Sequence, residues 1–289
     1  MLDKKVKTFI ICADDFGQNE EITRGILELI ELERISATSC MTNLEEWPEF
    51  AKTLQKQTHI DRGVHLNFTH GSPLSKELKK KLPYWPNSPV KLLAAIFKGE
   101  LNSQLIDDEI ILQLNAFEQA LGQQPDFIDG HQHLHHFPVI AKSFLAVYQA
   151  RYQTPHQKPY VRVSLTRPQI FKDKWWLKKK IIDFSGSHRL KKRLIRHNIP
   201  FNPFFGGVYD LSPLNTYKEI IESAFPKLKD GTLWMCHPGH PSQCTLDPIK
   251  QTRPIELNYL KSPQFADFCK QHNIRIGRYQ ALTTFNTEK

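Results

Sequence analysis

Cysteine is scarce in this 289-residue chain and poorly placed for cross-linking. The five residues Cys12, Cys40, Cys236, Cys244 and Cys269 are odd in number and form no Cys-x-x-Cys pair, which argues against a disulfide framework or a zinc ribbon. Cys12, Cys40 and Cys236 lie in apolar runs and read as small buried hydrophobes. Long apolar runs are missing too: none approaches the roughly 20 residues that a bilayer requires. The first, Phe9-Ile10-Ile11-Cys12-Ala13, is too short for a secretory signal and is ended by two aspartates, so a cytoplasmic location is expected. A glycine-rich turn is absent where a nucleotide fold would place one. In its stead stands Asp14-Asp15-Phe16-Gly17, which suits a cation and would repel phosphate. No fixed-period repeat is present.

Charge is uneven. The formal net charge is +9, but residues 172–196 hold ten Lys/Arg against Asp173 and Asp183. The basic character is therefore a local patch rather than a global affinity for polyanions. No nucleic-acid motif accompanies it, and specific nucleic-acid binding is not expected.

Apolar strand-like runs alternate with amphipathic patterns. Strands are expected near 8–13, 37–41, 63–68, 126–129, 160–163, 232–236 and 274–278, and helices over 20–33 (capped by Asn19), 45–54, 104–121, 217–225 and 263–272, with another starting near Pro138. Asp107, Asp108 and Glu109 would suit the first turn of the 104–121 helix. The proline-rich stretch 71–90 reads as a surface loop or lid. Strand–helix alternation favours parallel strands with crossovers, so the fold expected is α/β, a distorted (β/α) barrel forming a single domain over 1–289.

The chemically loaded residues follow the strands: Asp14/Asp15, His65, Asp129/His131, Arg162 and His237. In a barrel such positions converge on one face. Two adjacent carboxylates reach one pocket only if the strand has ended at Asp15, and their repulsion is relieved by a cation. A metal beside Asp15 would leave Asp14 free as a base; an Asx-turn with a capping acid is the plainer alternative. His65 alternates with Val64 and Leu66, as a ligand or a hydrogen-bonded core histidine would. In Asp129-Gly130-His131-Gln132-His133-Leu134-His135-His136 the period-2 histidines would project together from an extended segment, with Asp129 orienting an imidazole; a surface loop is the alternative. His237, in His237-Pro238-Gly239, is placed to donate a proton across the site, or is structural.

In these motifs, and in Gly63-Val64-His65-Leu66-Asn67, Met235-Cys236-His237-Pro238-Gly239 and the Arg253/Glu256 element with Leu260 beyond, the chain resembles the YdjC-like carbohydrate deacetylases. That group includes chitooligosaccharide deacetylase and the hopanoid-biosynthesis-associated deacetylases. The resemblance runs from residue 13 to residue 260. It implies a barrel related to polysaccharide deacetylases and a divalent metal on Asp15, His65 and His131. The reaction it implies removes the N-acetyl group of an amino sugar, oligosaccharide or lipid-linked, with Asp14 as base and a protonated His237 as acid. Asp129, His133, Arg162, Arg253 and Glu256 are then substrate-binding or supporting residues. Magnesium is the ion often given for the family, whereas two imidazoles and a carboxylate suit zinc; both stay open. Family members are often homodimers, and the oligomeric state is left open.

Residues 171–198 look like a basic helical insertion. Leu177, Ile181 and Phe184 can form an apolar stripe ended by Trp175 and Trp176, a pattern suited to an anionic membrane surface and a peripheral location. An ordinary solvated helix is the plainer alternative. The rival functions are another metal-dependent amidohydrolase of a small amide, or a membrane- or polyanion-binding protein.

Overall fold

The structure, a computed structural model, describes residues 6–154, 158–166, 186–214 and 216–280. The tryptophan pair and apolar stripe of the basic segment lie outside the described residues, as does everything in that segment before residue 186.

Eight strands, all paired in parallel, form one curled sheet among the described residues. They are β1 (Lys7–Phe16), β2 (Ala37–Cys40), β3 (Asp61–Leu66), β4 (Phe127–Gly130), β5 (Tyr160–Val161), β6 (Phe204–Gly206), β7 (Thr232–Cys236) and β8 (Ile274–Ile276). The order across the sheet is β5-β4-β3-β2-β1-β7-β6, with β8 against the start of β1. The two ends of this order meet. Val161 bridges Phe201 and donates its N–H to the Pro200 carbonyl at 2.8 Å. The Asn202 amide then continues the ladder, accepting from the Val163 N–H at 2.7 Å and donating to its carbonyl at 3.1 Å. A side-chain amide thus stands in for a peptide where the edge strands are too short, and the sheet curls into a distorted barrel.

Helices cover its outside: α1 (Glu20–Glu31), α2 (Trp47–Gln55), α3 (Lys76–Lys81), α4 (Pro89–Phe97), α5 (Ser103–Leu121), α6 (Pro138–Arg151), α7 (His188–Arg196), α8 (Tyr217–Ala224), α9 (Arg253–Lys261) and α10 (Pro263–Gln271). Asn19 caps α1 by accepting from the Ile22 N–H, as its sequence position indicates.

Strand alternation explains where the site forms. Phe9, Ile11 and Ala13 of β1 belong to the large core under the helices, whereas Ile10 and Cys12 join Ala37, Phe127, Tyr160, Leu233 and Met235 in a second apolar cluster. That second cluster fills the barrel interior. Phe127 stacks on Tyr160 there at 5.1 Å, and it fits only because residue 63 is glycine: a Cβ would lie 2.5 Å from its ring. Two residues further along each strand, still facing inward, stand Asp14, Ser39, His65, Asp129, Arg162 and His237. One polar layer therefore caps an apolar plug, as layered barrel interiors do.

Three local expectations are corrected. Residues 71–90 are not a plain loop: they contain α3 and the start of α4. The 104–121 helix starts at Ser103 under an Asn102 cap, with no acid in its first turn. Glu109 is instead fully buried, accepting from the backbone N–H groups of Leu74 and Ser75 and from Gln113, so it pins this loop to α5. Finally, His131–His136 is not extended. Gln132 and His133 adopt left-handed φ of 53° and 59° inside a tight helical turn, which sends the three period-2 histidines in different directions.

Candidate metal centre and active site

Asp14 points inward by alternation, so Asp15 should point out. The strand does not end between them, as the sequence suggested; β1 runs on to Phe16. The register against β2 shifts between Ala13 and Phe16, and Asp15 takes a φ of 70°. This bulge swings Asp15 into the same cavity.

Asp15 Oδ1 lies 3.0 Å from His131 Nδ1 and 3.5 Å from His65 Nε2. One ligand atom from each of these three residues falls within 4.8 Å of the others. Asp15 Oδ2 is held by Arg253 at 2.8 Å. Burial alone would raise the Asp15 pKa, but Arg253 and His131 outweigh it and hold the carboxyl well below the usual range.

His65 is oriented from behind. Its Nδ1 donates to Asp129 Oδ1 at 2.6 Å, and the Ser39 hydroxyl donates to the same oxygen at 2.5 Å. That leaves Nε2 facing Asp15, the arrangement by which a carboxylate fixes the tautomer of a metal-binding imidazole. Burial opposes a charge on His65, yet Asp129 and Asp15 raise its pKa well above the ordinary imidazole value. Without a cation the ring holds a proton.

A second close set, Cys12, Asp14 and Asp129, is filled by a guanidinium. Arg162, fully buried, binds both oxygens of Asp14 at 2.6 Å and Asp129 Oδ2 at 2.7 Å, and reaches Cys12 Sγ at 2.9 Å. Asp14 therefore needs no metal to offset its charge, and Arg162 is a clamp beneath the site rather than part of the cavity wall.

His237 Nε2 faces Asp14 Oδ2 at 3.9 Å. Burial pushes its pKa down to about 4. Its backbone N–H donates to Glu256 Oε2, and Tyr209 donates to Glu256 Oε1. Burial lifts Glu256 to about 7. Arg253 spans Asp15 and Asp247, with its Nε 2.6 Å from Asp247.

Of the histidine motif, only His131 joins Asp15 and His65. The His133 Nδ1 pairs with the Ser164 hydroxyl at 3.0 Å, and His135 donates to the Arg162 carbonyl at 2.8 Å. Gly130 admits this fold-back, because a Cβ there would meet His135 Nδ1 at 2.9 Å. Ser39, His70, Tyr209 and Asp247 were not singled out from sequence. Ser39 had a signal, as a polar residue within an apolar strand; Asp247 had none.

The cavity above the polar layer measures about 630 Å³ and is lined by Asp14, Asp15, His65, His131, His133, Tyr209, His237 and Arg253, among others. Its floor carries four buried carboxylates, Asp14, Asp15, Asp129 and Asp247, against two buried guanidiniums, Arg162 and Arg253. With the imidazoles neutral, the formal charge of these six groups is −2, and a divalent ion would bring it to zero. A cluster that buries such an excess of charge is stable only when it is compensated. One carboxylate and two imidazoles, one of them braced by a second carboxylate, fit a divalent cation on donor chemistry as well.

The protein is thus a parallel curled barrel with a carboxylate–imidazole group that could hold a cation at the carboxyl ends of its strands. A family model described as "YdjC-like protein" matches residues 8–271, and the chain belongs to that family. It is 24% identical over 282 residues to a carbohydrate deacetylase of Vibrio parahaemolyticus, covering 95% of this chain and 96% of that one. It is 30% identical over 152 residues to a carbohydrate deacetylase of Danio rerio and 32% over 139 residues to a chitooligosaccharide deacetylase of Yersinia enterocolitica. Those two matches cover 51% and 46% of this chain and span about half of each relative, 48% and 53%. Among solved structures, a putative cellobiose-phosphate cleavage protein from Enterococcus faecalis superposes with a TM-score of 0.65 at 19% identity, covering 96% of this chain and 99% of that one. A peptidoglycan N-acetylglucosamine deacetylase does so at 0.50 and 11%, covering 96% and 88%. Both show the shared fold. No helix among the described residues is long and apolar enough to cross a membrane.

Proposed function

We propose that this protein hydrolyses the N-acetyl group of an N-acetylated amino sugar, releasing acetate, with a divalent cation on Asp15, His65 and His131. The observation that carries this reading is the −2 charge of the buried layer, focused beneath a sugar-sized cavity. The family and the names of its relatives supply the substrate class.

A divalent ion held there would supply Lewis-acid polarisation of the amide carbonyl and a more acidic water; zinc and magnesium both remain candidates. The chain's own residues do the rest. Arg162 fixes the Asp14 carboxylate so that its Oδ2 faces the cavity and His237. Asp14 accepts the proton of the attacking water. His237, neutral at rest, takes that proton over from Asp14, which it faces at 3.9 Å, and delivers it to the departing amine, without which C–N cleavage would expel a poor leaving group. Glu256 holds the His237 backbone in place. The proton balance closes: water contributes hydroxyl to the acetyl carbon and a proton to the nitrogen.

The test is acetate release from N-acetylglucosamine oligomers and from lipid-linked N-acetyl sugars, with and without a chelator. Chelator-sensitive release from at least one is expected. Turnover of other amides, with none of any N-acetyl sugar, would overturn the reading.

A further inference from the structure

One surface beside the cavity mouth combines exposed apolar side chains with lysines. Val90, Ala94 and Phe97 fall at i, i+4 and i+7 on one face of α4, and Val90 and Phe97 are 76% and 88% exposed, while Leu92 and Ala95 on the opposite side are buried. Tyr84, just before this helix, is 74% exposed. Around them Lys76, Lys79, Lys80, Lys81, Lys91 and Lys98 are all exposed, with Glu77 the one acid between residues 74 and 98. That is a net +5 on a segment with outward apolar side chains. The segment is at the mouth: Asn87 and Pro89 line the active-site cavity, Tyr84 and Lys79 line an adjoining groove, and the exposed Leu246 lines both.

We propose that this α3–α4 surface docks the cavity mouth onto an anionic lipid bilayer, with Val90, Phe97 and Tyr84 entering the headgroup region and the lysines meeting lipid phosphates. The combination selects the partner. An exposed apolar helix face flanked along one margin by Lys91 and Lys98, beside the lysine-rich α3, matches the layered polarity of a bilayer interface. A second copy of the chain is disfavoured, because an isologous contact would bring the two +5 segments together. A polyanion such as RNA would engage the lysines but leave Val90 and Phe97 in water. The attachment is fixed by Glu109, which anchors Leu74 and Ser75 at the start of this segment to α5.

The test is co-sedimentation with vesicles of phosphatidylcholine alone, and with about 30 mol% phosphatidylglycerol added to supply the surface charge. The wild type should partition to the anionic vesicles, and less so as salt rises. The double variant Val90→Glu/Phe97→Glu should partition at least about tenfold less, since it loses apolar burial and gains repulsion, while its melting temperature and its acetate release from a soluble N-acetyl sugar stay unchanged. No partition of the wild type overturns the proposal. So does equal partition of the variant, or a wild-type dimer in analytical ultracentrifugation that the variant abolishes. Absence of acetate release from both proteins would count against the hydrolase reading alone, and the vesicle result would still decide this one.

Discussion

Removing divalent ions should lower the melting temperature of this protein measurably, and the size of the effect follows from the buried layer. The permanent charges set against Asp14, Asp15, Asp129 and Asp247 in this layer are Arg162 and Arg253, with His65 and His131 beside them, and every one of the six charged groups is at most 2% exposed. The −2 excess has two ways to be reduced: a cation on Asp15, or protons on the adjacent imidazoles. His65 takes the second route when no cation is present, since its pKa is raised by Asp129 and Asp15 in spite of burial. A cation must therefore displace that proton, and its affinity should rise with pH through neutrality. At an ion concentration about 100 times Kd the native state gains about 2.7 kcal/mol. At roughly 1.6 °C per kcal/mol for a chain of 289 residues, the melting temperature should rise by about 4 °C. Differential scanning fluorimetry of chelator-treated protein, titrated with zinc, cobalt, manganese and magnesium in turn, reads this directly. Calorimetry in two buffers of different ionisation heat should show proton release. Asp15→Asn reduces the formal excess to −1 and removes the oxygen facing both imidazoles, so it should abolish most of the shift. A wild-type melting temperature indifferent to all four ions would refute the charge argument, as would an undiminished shift in the variant.

Three further outcomes are expected. Asp14→Asn should retain the ion-dependent rise in melting temperature while kcat falls by about 10²–10⁴, the range for loss of a general base; loss of the thermal shift would place Asp14 among the ligands. Arg162→Leu leaves the Asp14 and Asp129 carboxylates uncompensated in the interior and should destabilise the fold by about 3–5 kcal/mol in urea titrations; a change under about 1 kcal/mol would show that this layer is hydrated rather than buried. Glu256 has a folded pKa raised by burial to about 7 from 4.5. The stability linked to its protonation is thus fully present below about pH 4.5 and is lost as pH rises to about 7. Glu256→Gln stays neutral and can accept from the His237 N–H while donating to Tyr209. Its stability relative to wild type should grow by up to about 3 kcal/mol across that window, and parallel pH curves for the two proteins would exclude the buried-carboxylate account.

Much of the architecture was legible because parallel strands buried on both faces leave short, strong apolar runs, and β7 falls on residues 232–236 as those runs indicate. The short elements were not. β6 is three residues with Gly206 at its end, and α9 begins at Arg253-Pro254 inside a polar stretch, so neither carries enough periodicity to register. The inward-facing residues could be read from their place after each apolar run. Their partners could not. Nothing local in Tyr160–Val163 says that Arg162 will bind a carboxylate 148 positions away, and nothing in Thr245–Pro248 announces that Asp247 will hold Arg253. The histidine motif misled for a physical reason: period-2 spacing predicts a shared direction only in extended backbone, and the left-handed pair Gln132–His133 breaks that condition.

The adjacent aspartates show how one irregular residue divides two roles. In an unbroken strand Asp14 would face the barrel and Asp15 the helices, and Asp15 would be a buried carboxylate among the apolar side chains of α1 and its neighbours. The bulge at Asp15 brings both inward, but not into equivalent places. Asp14 keeps the register of Cys12 and meets Arg162 at the level of Asp129, where a guanidinium fills the space that a metal would need. Asp15, displaced along the strand, rises to the level of His131 and the outer nitrogen of His65, with Arg253 on its other oxygen. Repulsion between neighbouring carboxylates is thereby answered by a fixed organic cation below and, on the proposed function, by an exchangeable one above. Substituting Arg162 should therefore disturb stability first and ion affinity second, whereas substituting His131 should do the reverse.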